Sequence, residues 1–240
     1  MDFVADFTPW VDDLLGGVWI TVLVTVLGAA GALVVSFVFG LLAQAKGRLP
    51  RFVARVFIEF FRGTSVLVQL WWLFFVLPAF GWTLQPLAVG VVAFSLNFGA
   101  YGAEVVRGAI NAVPRAQVEA TVAVNMSAYQ RMRLVILPQA VVGMIPPFGN
   151  LLIQLLKSTP LVYTVTVVDV TAVTQQFRAA EGYEAYIFGL ALLVYLGLAY
   201  LFTLGVRVLE RRAKAAIGQV EPARRGLWAR FRPAKAGVPG

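Results

Sequence analysis

Residues 17–43 read GVWITVLVTVLGAAGALVVSFVFGLLA and contain no charged side chain. A helix needs about 20 mostly apolar residues to cross the hydrocarbon core of a bilayer, and this run is longer than that. The composition of the whole chain agrees, because 60% of its 240 residues are hydrophobic and only 13% are charged, against about 25% in soluble domains. The sequence therefore predicts an integral membrane protein.

Four further segments are apolar enough to follow this first span. The second must begin before Arg62, near Phe52 to Phe57, because the uncharged run 63–77 is short and a turn sequence, LPAFGWTLQP, follows it. The other predicted spans are 87–110, 134–156 (with Pro138, Pro146 and Pro147 inside it) and 185–206. We expect an all-α integral membrane protein with about five transmembrane helices.

Basic residues orient these spans, since cytoplasmic loops carry an excess of Lys and Arg. Residues 1–16 contain four aspartates and no basic residue, and the turn at 78–86 has no charge. By contrast, the connections between spans one and two and between spans three and four are basic, as is the segment after 206. We therefore expect an extracytoplasmic N-terminus over 1–16, a transmembrane domain over 17–212 and a basic, flexible cytoplasmic tail over 213–240. This distribution accounts for the net charge of +8, so nucleic-acid binding is not predicted.

Several enzyme classes are excluded by missing residues. The chain has no Cys and no His, which excludes disulfides and thiolate metal sites and removes the commonest general base. A lipid-modifying membrane enzyme would need clustered Asp or His ligands, which the spans lack. The G-x-x-x-x-G-K-[ST] phosphate loop is also missing, so the chain does not hold ATP in that manner. We predict no catalytic site, no metal and no cofactor.

The connection at about 111–133 interrupts the apolar pattern with PRAQVEATVAVNMSAYQRMR. Val118 and Val122, four residues apart, predict one apolar helix face. Asn125 fits a helix end because Asn tolerates the left-handed conformation, and the following S-A-Y-Q sequence is a capping box for a second helix. We expect two short helices that project from the membrane as a knob, defined here as residues 114–133. The knob is either a solvated loop or a docking element for a cytoplasmic partner.

The knob sequence and its continuation, QVEATVAVNMSAYQRMRLVILPQA, resemble the EAA loop of bacterial ATP-binding-cassette (ABC) importer permeases. The matching positions are Glu119, Ala120, Thr121, Asn125 and Ile136 to Pro138. Three more blocks are similar, in order, to the polar amino acid (histidine/glutamine-type) branch: FRGTSVLVQL, LNFGAYGAEVVRGAINAVPRAQVEA and LPQAVVGMIPPFGNLLIQLLKSTPLV. The resemblance covers about residues 17–212. Thr121 and Asn125 stand where the family has Ala and Gly, and the wording A-V-N-M-S resembles permeases assigned to ectoine and hydroxyectoine uptake.

The resemblance implies a type I importer permease in the bacterial inner membrane. Such a permease pairs with a second copy or a paralogue, binds a cytoplasmic ATPase dimer and receives solute from an extracytoplasmic binding protein. It would import amino acids or amino-acid-derived zwitterions such as ectoine. Its ATPase-coupling residues would be Val118, Glu119, Ala120, Thr121, Val122 and Asn125. The alternative is an ion-gradient-driven secondary transporter or channel subunit, although the spans carry no chain of midplane carboxylates.

Charged residues inside the predicted spans are further functional candidates. Glu59 with Arg62, and Glu104 with Arg107, are spaced i, i+3, so each pair is expected to form an ion pair on one helix face. These pairs either are structural, with the arginine reaching the membrane interface, or act as a gate or fix the dimer.

Lys157 stands at the expected outer end of the fourth span, within K-S-T-P. Pro160 predicts a helix break that frees nearby carbonyls, and broken helices often form transport sites. The predicted substrate path consists of Lys157, Ser158, Thr159 and Asp169, which would meet both charges of a zwitterion. The other interpretation is an interfacial lysine at a capped helix end.

Overall fold

The computed structural model describes residues 6–216, which form helices joined by short turns, with no strand among them. In chain order the helices are α1 Val11–Leu42, α2 Arg48–Gly63, α3 Val66–Trp71, α4 Pro86–Asn111, α5 Arg115–Ala123, α6 Ala128–Arg131, α7 Leu137–Ser158, α8 Val170–Glu181 and α9 Glu184–Ala216. The all-α prediction is confirmed. Residues 213–216 of the expected tail continue α9. Residues 1–5 and 217–240 lie outside the described part of the chain.

Four helical stretches in residues 6–216 are long and apolar enough to cross a bilayer: Thr8–Leu42, Pro86–Asn111, Ala128–Val165 and Glu184–Ala215. A fifth span results if the bent pair Arg48–Gly63 and Val66–Phe80 crosses as one unit. These counts agree with the predicted number. The first helix begins before residue 17, and its first turn carries Asp12 and Asp13. The partial positive charge of a helix N-terminus stabilises carboxylates at this position.

The second predicted span is two helices rather than one. The axis turns by 101° between α2 and the segment Val66–Phe80. At the turn, Thr64 and Ser65 adopt extended backbone, with ψ of 149° and 133°. The Thr64 hydroxyl donates to the carbonyl of Phe60 at 2.9 Å. Short hydroxyl side chains offer the backbone such alternatives to the helical ladder, and two of them after Gly63 end α2 where hydropathy alone indicated continuity.

Two π-helical turns each precede a proline and keep their spans helical. The turn Met132–Ile136 lies before Pro138, and the turn Trp72–Val76 lies before Pro78. Proline has no N–H to donate, and a widened turn lets the helix continue past the missing hydrogen bond. Beyond α7, a 3-10 turn over Thr159–Val165 extends the fourth span well past the predicted end at residue 156.

Helices α1 and α4 pack along a seam of small residues. The buried face of α1 includes Gly28, Ala32, Ser36 and Gly40. Opposite them, a Cβ atom at Gly99 would lie 2.6 Å from the Cβ of Val35, and the Ser36 hydroxyl donates to the Gly99 carbonyl at 3.1 Å. Close backbone packing of this kind holds helices together in lipid. The seam therefore fixes α4, which contributes side chains to the sites described below.

We predict that Gly99→Ala lowers the stability of the purified protein by about 1–3 kcal/mol, the usual range for overpacking. The added methyl group would lie 2.5 Å from Val35 Cγ1 and 3.3 Å from the carbonyl oxygen of Ala32. The matched control is Gly108→Ala on the same helix, where a Cβ meets nothing within 4 Å. Thermal unfolding in detergent is the measurement, and equal stability of the two variants would contradict the seam.

Candidate coupling knob and polar pocket

The knob has the two helices and the break that its sequence predicts. Helix α5 ends in a Schellman motif: the N–H of Met126 donates to the Thr121 carbonyl at 3.0 Å, and the N–H of Asn125 donates to the Val122 carbonyl at 2.9 Å. Asn125 has φ of 56°, the left-handed conformation that this motif requires. The capping box that begins α6 joins Ser127 to the residue three positions later, with both of its hydrogen bonds present. Local sequence therefore defines the knob.

The predicted apolar face of the knob is divided between two environments. Val118 is half-buried and packs against a cluster that includes Val106 and Ile136, while Thr121 is buried and donates its hydroxyl hydrogen to the Val118 carbonyl at 2.6 Å. Val122 is 53% exposed. Val118 and Val122, which were predicted to form one apolar face, therefore differ in burial, because the i, i+3 pair Val118 and Thr121 faces the bundle.

The surface that the knob exposes is consequently smaller than expected. Of the predicted coupling residues, Glu119, Ala120, Val122 and Asn125 are exposed. Val124, which sequence analysis did not select, is 66% exposed beside them. The signal for Val124 in the sequence was its position immediately before Asn125, the residue expected to be left-handed.

Three polar side chains satisfy the carbonyls at the break between α2 and α3. The Phe61 carbonyl accepts from Asn97 Nδ2 at 2.8 Å and from Gln69 Nε2 at 3.1 Å. The Tyr101 hydroxyl donates to the Arg62 carbonyl at 3.3 Å. These residues were not among the predicted site residues, although isolated amides in apolar spans are a recognisable signal of buried polar function.

The same break forms one wall of a pocket of about 390 Å³. Its lining residues are Thr64, Ser65, Val66, Asn97, Phe98, Tyr101, Gln154, Lys157 and Ser158. Lys157 is exposed, and its ammonium group forms no ion pair with any residue of 6–216. The structure therefore places two of the four predicted path residues, Lys157 and Ser158, in one polar pocket.

The other two predicted path residues have structural partners and do not line this pocket. Thr159 is fully buried and donates to the Leu156 carbonyl at 2.7 Å. Ser158 similarly donates to the Gln154 carbonyl at 3.0 Å. The carbonyls that Pro160 was expected to free are thus bonded to hydroxyls, and the chain continues as a 3-10 turn.

Asp169 caps the N-terminus of α8. One carboxylate oxygen accepts from the N–H of Ala172 at 2.9 Å, and the other accepts from the Tyr195 hydroxyl at 3.0 Å. Burial raises the pKa of this carboxyl group above its usual value, although the hydrogen bonds from Ala172 and Tyr195 oppose that rise. The expectation that Asp169 meets a solute beside Lys157 is not met, because its oxygens are enclosed and already bonded.

The two predicted charge pairs have different outcomes. Arg107 forms a two-pronged ion pair with Glu104, with a shortest distance of 2.5 Å. Glu59 and Arg62 form no such pair in the described chain. The Arg62 guanidinium instead lies over the ring of Tyr101, 5.4 Å from its centroid, because Arg62 is in the last turn of α2 and faces α4.

Comparison with known proteins identifies the family. Residues 36–215 match the model of the binding-protein-dependent transport system inner membrane component. The chain belongs to this family. It is 41% identical over 211 residues to a probable amino-acid ABC transporter permease protein, y4tF, of Sinorhizobium fredii, covering 85% of this chain and 89% of the relative. It is 35% identical to the glutamine transport system permease protein GlnP of Escherichia coli, covering 86% and 95%.

Solved structures of this transport family have the same fold. A crystal structure of an amino acid ABC transporter with histidines superposes with a TM-score of 0.80 and 28% identity, covering 88% of this chain and 99% of that one. The inward-facing MetNI methionine ABC transporter superposes with a TM-score of 0.74 over 86% of this chain and 98% of that one; at 23% identity this second likeness shows the fold alone. The type I importer permease fold is confirmed, and the chain is a multi-pass inner membrane protein.

Proposed function

We propose that this family member is the permease subunit of an ABC importer for amino acids. One observation carries the proposal. The polar pocket and the exposed, capped knob both lie in the part of the chain that is similar to amino-acid permeases. The relatives' names give no support to an ion-gradient-driven transporter or channel. The chain has no phosphate loop for ATP, and ATP hydrolysis belongs to the partner ATPase.

The knob is the proposed contact with that ATPase. Its outer surface offers the apolar side chains of Val122 and Val124 beside the carboxylate of Glu119. Its inner surface is held by Val118 and Thr121, and the cluster under Val118 belongs mainly to α4 and α7. A rigid element anchored in this way would transmit closure of an ATPase dimer to α4 and α7 as a rigid-body movement.

We predict that Val122→Asp and Glu119→Lys each lower solute-stimulated ATP hydrolysis of the assembled transporter roughly tenfold or more. A covered valine contributes about 1.5–3 kcal/mol, and tenfold corresponds to about 1.4 kcal/mol. The control is Gln117→Glu, which adds a carboxylate to another exposed position of α5. Membrane yield and size-exclusion profile verify folding. Unchanged stimulation in a correctly folded Val122→Asp transporter would remove the docking role.

The pocket at the helix break is the proposed solute site. Its volume of about 390 Å³ falls within the range of small-molecule sites, about 300–1,000 Å³. The Lys157 ammonium suits the carboxylate of an amino acid, while the amide oxygens of Asn97 and Gln154 and the hydroxyl of Ser158 suit its ammonium group. A zwitterion therefore fits better than a sugar. Ectoine, which also carries both charges, is the finer form of this proposal, whereas relatives are named for glutamine and for L-cystine.

We predict that Lys157→Met lowers the affinity for an amino-acid substrate at least roughly tenfold, since a charge-assisted hydrogen bond is worth about 1.5–3 kcal/mol. Lys157→Arg keeps the charge and should retain most of the uptake. Uptake into proteoliposomes as a function of glutamine, L-cystine or ectoine concentration is the measurement, at equal amounts of protein. Parent-like uptake by Lys157→Met would remove Lys157 from the proposed solute site.

The proposed orientation has the N-terminus outside and the knob and C-terminus in the cytoplasm. It is supported by the basic residues of the knob and of the segment after residue 206, against an uncharged turn at 78–86. In this orientation the knob meets the ATPase dimer, and the solute-binding protein docks at the opposite face. A second permease, identical or paralogous, completes the transporter.

We predict that a reporter active only in the cytoplasm is silent when fused after Gly81 and active when fused after Arg212. An extracytoplasmic reporter at the same two positions should give the reverse pattern, which controls for expression. Cytoplasmic signal after Gly81 would invert the proposed map.

A further inference from the structure

A second polar cavity, of about 440 Å³, lies at the end of the bundle that carries the knob. Its charged lining consists of Arg51, Arg55, Arg62 and Arg107 with Glu59 and Glu104. We refer to it as the arginine cavity. None of these residues lines the pocket that contains Lys157, and the proposed function assigns the arginine cavity no role.

The arginines of this cavity exceed the carboxylates available to pair with them. Arg107 is paired with Glu104. Arg51 donates to the backbone carbonyls of Ala45 and Lys46 at 3.1–3.3 Å, and these neutral partners do not neutralise its charge. Arg55 and Arg62 form no ion pair with any residue of 6–216. The Arg62 Nε is buried and has no hydrogen-bond partner. The lining of the cavity thus has an excess of two positive charges.

The arginine cavity is located at the ends of membrane spans. It lies between the ends of two spans, where Gln44, just beyond α1, donates to the side chain of Asn111, the last residue of α4, at 3.1 Å. The arginines of α2 lie beside a row of exposed apolar side chains on the same helix: Leu49, Phe52, Val56 and Phe60. A helix with basic and apolar faces of this kind lies at the membrane interface and attracts anionic lipid.

From this arrangement we infer that the arginine cavity binds the phosphate of an anionic phospholipid, whose acyl chains lie along the apolar face of α2. The guanidinium fork matches phosphate oxygens with paired hydrogen bonds, and the unpaired groups of Arg55 and Arg62 supply donors. A soluble phosphate would satisfy the same guanidinium groups, but it would make no use of the adjacent row of exposed apolar side chains. The inference rests on the membrane placement of the chain and not on the identity of the solute.

The test uses the full chain in nanodiscs of phosphatidylglycerol and phosphatidylcholine, released for native mass spectrometry. We expect the parent to retain phosphatidylglycerol in preference. The double variant Arg51→Gln, Arg55→Gln should reduce that preference roughly 30-fold, since each of the two basic residues contributes about 1 kcal/mol near an anionic surface. The control is Arg115→Gln, an exposed arginine of α5 outside the cavity. The conservative double variant Arg51→Lys, Arg55→Lys should restore part of the preference.

A competition arm separates the two sources of phosphate. In this arm, inorganic phosphate is tested for its effect on the thermal stability of the parent chain and of the double glutamine variant. If phosphate stabilises only the parent, and the parent does not retain phosphatidylglycerol in preference to phosphatidylcholine, the site binds a soluble anion and the lipid assignment is overturned. Equal lipid preference in the parent and the double glutamine variant would also overturn it. Neither result affects the proposed function, because uptake and its dependence on Lys157 are measured separately.

Discussion

In hydrocarbon, a backbone carbonyl or N–H without a partner costs several kcal/mol, and the break between α2 and α3 creates such groups. Asn97, Gln69 and Tyr101 provide the partners, two of them from α4. The small-residue seam with α1 fixes α4 in the bundle that places these side chains. The pocket follows from this requirement: Asn97 and Tyr101, which satisfy the broken backbone, also line the cavity that contains Lys157.

The knob was predictable because its determinants are local. A left-handed Asn125 and a capping box require only neighbouring residues, so sequence order is sufficient to specify them. The direction that each helix face takes is not local. Val118 and Val122 are equivalent in sequence pattern, and the bundle beneath α5 decides that Val118 is packed while Val122 remains exposed.

The charged and polar sites were predictable only in part, for the same reason. Glu104 and Arg107 pair within a continuous helix, whereas Arg62, at identical spacing from its glutamate, precedes a break and turns toward Tyr101. The sequence predicted that Asp169 is available to a solute, but the hydroxyl of Tyr195, 26 residues further along the chain, donates a hydrogen bond to its carboxylate. Hydropathy also predicted that the second span is a single helix, because hydropathy averaged over a window of residues does not detect a two-residue break.

Arg62 and Tyr101 connect these features. The Tyr101 hydroxyl donates to the backbone of Arg62, and the Arg62 guanidinium lies over the Tyr101 ring. Tyr101 lines the pocket with Lys157, while Arg62 lines the arginine cavity. One side chain from α2 and one from α4 therefore link the linings of the two cavities. Because the cluster beneath the knob includes residues of α4, a movement of the knob that separated α4 from α2 would have to break both contacts between Arg62 and Tyr101.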